Sequence, residues 1–119
     1  MLKQESTLKM AYVDRGFGLK QLNGDSQLQI RLFKKFHKEY ITLEDDLRQC
    51  IQSGNYSRAH GYVHTLKGVC ANLGCHTLFR LSDLLQTQLL SEQVEAETLK
   101  SFIDALDGTL KEINRLVCA

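Results

Sequence analysis

From Ser26 to Ser53 the chain reads SQLQIRLFKKFHKEYITLEDDLRQCIQS. Apolar side chains recur along it at Leu28, Leu32, Phe36, Tyr40, Leu43, Leu47 and Ile51. Steps of four residues, with a single step of three, trace one face of a helix sustained for about seven turns. At ~1.5 Å per residue such a helix is about 39 Å long. Asp25 or Ser26 can cap its start by accepting orphan backbone N–H groups, and Gly54-Asn55 ends it.

The same period continues on both sides. A second stripe runs through Tyr56, Ala59, Val63, Leu66, Cys70 and Leu73 and closes at Gly74. A third carries Leu78, Leu81, Leu85 and Leu89, and a fourth Leu99, Phe102, Leu106, Leu110, Ile113 and Val117. Upstream, Asp14 can cap a short helix through Phe17 and Leu22 that stops at Asn23-Gly24. The chain contains no proline, so nothing interrupts these helices. Connections of a few residues favour antiparallel neighbours. The expected fold is all-α: an antiparallel up-down four-helix bundle with a short extra N-terminal helix. Its core helices fall at residues 26–53, 55–73, 76–90 and 95–117, within one domain spanning 1–119 whose bundle occupies 26–118. Residues 1–6 are expected to fray.

Bulk properties restrict the function. With 43% hydrophobic and 24% charged residues, 119 residues suit one soluble core. A formal net charge of +1 provides no chain-wide basic field for nucleic acid. No stretch approaches the ~20 apolar residues that span a bilayer, and residues 1–10 do not resemble a signal peptide. The four cysteines form no C-x-x-C pair, and Cys50 and Cys70 fall on apolar stripes as small hydrophobes. A cytoplasmic monomer with reduced thiols, no cofactor and no direct membrane contact is expected.

The segment Arg58–Gly74, RAHGYVHTLKGVCANLG, carries an unusual outer face. At ~100° per residue, His64 falls about 130° from the centre of the apolar stripe and projects from the surface. Gly61, Gly68 and Ala71 share that face, where lysine, glutamate, glutamine or arginine would be ordinary. Each interior glycine costs roughly 1 kcal/mol of helix stability relative to alanine. Neutral drift, close packing against another helix, or clearance for a partner approaching the His64 ring would each account for them. Lys67, three residues on, is a helical neighbour whose ammonium can reach a group attached to the imidazole. Neutral imidazole is an available nucleophile near pH 7.

The eleven residues His64–Gly74, HTLKGVCANLG, resemble the signature of bacterial histidine-containing phosphotransfer (HPt) domains. That signature is His, Ser or Thr, Leu or Ile, Lys, Gly, five variable residues and Gly. The likeness extends across roughly residues 14–90. Leu22-Asn23-Gly24-Asp25 resembles the family's turn before the long helix, and Phe33 and Phe36 occupy its aromatic positions. Gly54-Asn55-Tyr56 resembles its Gly-Asp-aromatic lead into the histidine helix, and Leu78, Leu81 and Leu85 follow at family spacing. The resemblance implies that His64 accepts phosphate, Lys67 stabilises it, and Gly68 clears space for a receiver domain. Gly61, Ala71 and His60 would complete the docking face. Implied partners are the receiver domains of a hybrid sensor kinase and of a response regulator.

Gln86 stands where the family often has glutamate, which leaves the role of that carboxylate open. The segments around Tyr62-Val63 and Asp83–Gln86 do not look like the chemotaxis-kinase variant, and Thr65 departs from the plant-type signature. A phosphorelay HPt domain fits better, either free-standing or a module of a hybrid kinase.

Rival readings draw on the same residues. His60 and His64 have i, i+4 spacing suited to zinc, but Gly61 stands where an H-E-x-x-H motif has its glutamate. A larger site would need Cys75 and His76 to converge on them, and no metal is expected. A helical adaptor would use the glycine-lined face without phosphate. An autonomous enzyme lacks support, because neither a P-loop nor a G-x-G-x-x-G turn is present. His37 reads as a partly exposed structural residue.

Overall fold

The computed structural model describes residues 12–118, and every regular element among them is helical. The order is α1 (Arg15–Gln21), α2 (Ser26–Tyr40), α3 (Leu43–Gln52), α4 (Tyr56–Leu73), α5 (His76–Leu90) and α6 (Ala96–Cys118). The fraying expected of residues 1–6 lies outside the described residues.

The expected 26–53 helix is divided at Ile41-Thr42, giving α2 and α3. Two consecutive β-branched residues are modest helix formers, and Ile41 is exposed, so core packing does not hold them in register. Immediately afterwards Glu44, Asp45 and Asp46 occupy the first turn of α3, where carboxylates complement the partial positive charge of a helix start. The break has a packing consequence. α2 lies mainly against α6, whereas α3 lies against α4.

The buried face of α2 is also turned slightly from the expected stripe. Gln29, Phe33, Phe36 and Tyr40 are buried, while Leu28 and Leu32 are half-buried. Inside, Gln29 Nε2 donates to the Arg15 carbonyl at 3.1 Å, while its Oε1 is buried with no hydrogen-bond partner among the described residues. The stripes of α4, α5 and α6 supply the rest of the core, including Val63, Leu66, Leu78, Leu85, Leu89, Phe102 and Ile113. Cys50, Cys70 and Cys75 are buried free thiols.

α1 is fastened to the far end of α4. The Asp14 carboxylate accepts from Phe17 N at 3.0 Å, capping α1 as expected. Asp14 N donates to the Gly74 carbonyl at 2.9 Å. Gly74 ends α4 in the left-handed region, with φ of 80°, and Cys75 N then donates to the Cys70 carbonyl at 3.0 Å. A side chain at Gly74 would run into the Asp14 carbonyl, so both conformation and space demand glycine there.

Candidate functional site

Helix α4 begins where the Asn55 side chain accepts from Arg58 N at 3.2 Å, and its inward face is set by Ala59, Val63, Leu66, Cys70 and Leu73, all buried. That anchoring fixes what the helix shows to solvent. His64, Thr65, Gly61, Gly68 and Ala71 are exposed, and His60 and Lys67 are half-exposed beside them. The face inferred from periodicity is therefore the face observed.

A Cβ placed on Gly61 or Gly68 meets no atom within 4 Å. Neither glycine is a notch for another helix of this chain, which removes one of the three explanations for their presence. They leave the backbone bare around the His64 ring. His60 and His64 lie with ring centroids 6.1 Å apart and planes within 9° of parallel.

Lys67 is engaged rather than free. Its Nζ lies 2.8 Å from Asp83 Oδ1 on α5 and 5.6 Å from the centroid of the Phe79 ring. Only 27% of its side chain is exposed, against 61% for Asp83. Neither Asp83 nor Phe79 stood out in the sequence as part of the site. The available signal was their i, i+4 spacing on α5, but pairing them with Lys67 requires the register between α4 and α5.

That register draws in Gln86. In an antiparallel pair with Lys67 beside Asp83, three residues back on α4 meets three residues forward on α5, which sets Gln86 at the level of His64. Gln86 is half-buried, and its Oε1 is a buried acceptor with no hydrogen-bond partner within the described residues.

The remaining histidines are elsewhere. His76 Nε2 is 3.4 Å from Asp14 Oδ2 and makes an edge-on contact with Phe17, with centroids 4.8 Å apart. Cys75 is fully buried. Neither converges on His60 and His64, and no cluster of three or more His, Cys, Asp or Glu side chains among the described residues is arranged to hold a metal ion. None of the described helices is long and apolar enough to cross a membrane.

Chemically, the site is an exposed imidazole on a helix surface, with bare backbone on either side and a cation one turn away. Comparison with family models gives a match to the Hpt domain over residues 31–116. No curated protein and no solved structure matches the chain.

Proposed function

The chain belongs to the Hpt domain family, whose members carry phosphoryl groups on histidine in phosphorelays, and on that premise we propose that His64 is its phosphoacceptor. A ring nitrogen of His64 attacks the phosphorus of a receiver-domain aspartyl phosphate, and the aspartate leaves as a carboxylate. The reverse displacement then delivers the phosphoryl group to the aspartate of a response-regulator receiver. The donor is the receiver domain of a hybrid sensor kinase, or the kinase itself. The protein acts in the cytoplasm as a monomeric carrier, with the receiver supplying the remaining catalytic groups.

The observation that supports this most directly is the exposed His64 ring between two glycines whose missing side chains would meet nothing. In-line displacement needs the phosphorus brought close to the nitrogen, and positional errors near ~1 Å can be costly. Lys67 supplies positive charge to the phosphoryl oxygens once it leaves Asp83, and Gly68, Gly61, Ala71 and His60 form the docking face.

Incubation with a phosphorylated receiver domain tests the reading. Acid-labile, base-stable phosphate should appear on the protein and be absent from His64→Gln. His37→Gln and His76→Gln should still be labelled. Full labelling of His64→Gln would refute the assignment.

A further inference from the structure

The stacked pair His60 and His64 offers chemistry that phosphate transfer does not use. We infer that these two imidazoles chelate a divalent transition-metal ion, of the Cu²⁺, Ni²⁺ or Zn²⁺ class, and that the bound ion withholds His64 from phosphoryl transfer. The chelating half stands on geometry alone, and the blocking half rests on His64 being the phosphoacceptor.

Residues four apart on a helix place their side chains one above the other, the spacing by which two histidines of a helix share one metal ion. Here the rings stack within 9° of parallel, with centroids 6.1 Å apart, so their in-plane lone pairs do not yet converge. Two imidazoles on one tetrahedral ion, at metal–nitrogen distances of ~2.0–2.1 Å, have centroids about 5 Å apart. Both rings must turn about their side-chain torsions before their lone pairs meet at one ion, and the partial or full exposure of both side chains leaves room for that turn. Gly61, beside the pair on the helix surface, brings no side chain to crowd an ion and the waters that complete its coordination. Of the two cations on the helix that would oppose a metal, Lys67 has its Nζ drawn to Asp83 at 2.8 Å and Arg58 donates its Nε to Tyr62 Oη at 2.9 Å.

The ligand set also selects the ion. Imidazole favours Cu²⁺, Ni²⁺ and Zn²⁺, whereas Mg²⁺ and Ca²⁺ seek oxygen. With only two protein ligands the site is open and exchangeable, unlike a structural zinc site closed by four. Blocking follows from electron count. A neutral imidazole has one nitrogen with a free lone pair and one that carries hydrogen. Once the metal takes the lone pair of His64, no nucleophile is left to attack phosphorus.

Ni²⁺ alone is the probe. Titration of the purified chain followed by histidine ring NMR should broaden the His60 and His64 resonances first, ahead of those of His37 and His76. His60→Gln should weaken Ni²⁺ affinity at least tenfold, and His76→Gln should not change it. Phosphorylation from a labelled receiver is then measured with and without Ni²⁺ at constant Mg²⁺, and each protein is compared with its own metal-free rate. The parent should lose labelling in proportion to Ni²⁺ occupancy, and chelator should restore it. His60→Gln should be markedly less sensitive. Equal affinity in parent and His60→Gln overturns the site, and equal fractional inhibition overturns the blocking step. If the metal-free parent takes no phosphate while chelation is intact, the carrier reading and the blocking step fall together and the chelating pair stands.

Discussion

Lys67 Nζ lies 2.8 Å from Asp83 Oδ1, so the cation that would serve a phosphoryl group on His64 is held by the neighbouring helix in the unphosphorylated protein. The pair is solvent-accessible on the Asp83 side and contributes less than ~1 kcal/mol to stability. Releasing the ammonium should therefore be cheap. Asp83→Asn is expected to leave the unfolding midpoint nearly unchanged and to lengthen the life of the phosphorylated state, followed as loss of labelled phosphate. Lys67→Ala should shorten it, and Lys67→Arg should retain part of the function. A shorter life in Asp83→Asn would mean that the carboxylate aims Lys67 at the phosphate instead of sequestering it.

At Gly68 stability and activity should move in opposite directions. Nothing lies within 4 Å of an added Cβ, so Gly68→Ala should stabilise the helix by up to about 1 kcal/mol. Gly68→Gln should also fold, and thermal denaturation will check this. On the proposed function its side chain would stand in the path of the incoming receiver, and the rate of labelling should fall. Unimpaired labelling of Gly68→Gln would remove clearance as the reason for the glycine.

Gln86 lends itself to a similar separation. Its Oε1 is buried without a partner, so Gln86→Leu removes an unsatisfied acceptor and should be neutral or slightly stabilising. Gln86 stands at the level of His64 on the neighbouring helix, and on the proposed function an outward turn of its side chain lets the amide oxygen accept from the ring and fix which nitrogen is free. The leucine variant should fold at least as well as the parent and transfer phosphate more slowly, with Gln86→Glu recovering part of the rate.

Glu112 gives a pH-dependent prediction far from His64. The residue is only 7% exposed, and its Oε1 accepts from Val13 N at 3.0 Å. Burial raises its pKa above the ordinary carboxylate value, and hydrogen bonds from the backbone of Val13 and Tyr12, together with Arg115, oppose the rise. A raised pKa means that the folded state holds this proton more tightly than the unfolded chain does. The associated stability is present below the ordinary value and is lost as pH rises through the raised one. In urea unfolding from pH 4 to pH 7, the advantage of the parent over Glu112→Gln should shrink as pH increases. An advantage that grows with pH would mean that the backbone hydrogen bonds outweigh burial and hold the carboxyl below its ordinary value. Glu112→Leu should be destabilised by roughly 1–3 kcal/mol, because buried backbone N–H groups lose their acceptor.

Much of this was legible in the sequence because helical period is a local property. Val63, Leu66 and Cys70 fix the inward face of α4, and the exposure of His64 follows by rotation about the helix axis. The break at Ile41-Thr42 was hidden because the three-residue step from Tyr40 to Leu43 is also what a continuous helix allows. Gln29 was missed as a core residue because its burial depends on a carbonyl of α1, fourteen residues away. The engagement of Lys67 by Asp83 depends on how α5 slides along α4, which no single stripe encodes.

The outward setting of His64 bears on how the molecule holds a message. A dianionic group added there stays in water, and the inward face of α4 has no reason to repack. Proteins that report phosphorylation through shape need a bistable element whose two arrangements the new charge can bias. A close-packed buried stripe of Ala59, Val63, Leu66, Cys70 and Leu73 is the opposite of such an element. On the proposed function, information resides in occupancy, meaning the fraction of molecules carrying phosphate, and direction is left to the partners' relative abundance and phosphoryl affinity. The protein then behaves as a conductor with two-way traffic, and any asymmetry in signalling has to be built into the receivers it meets.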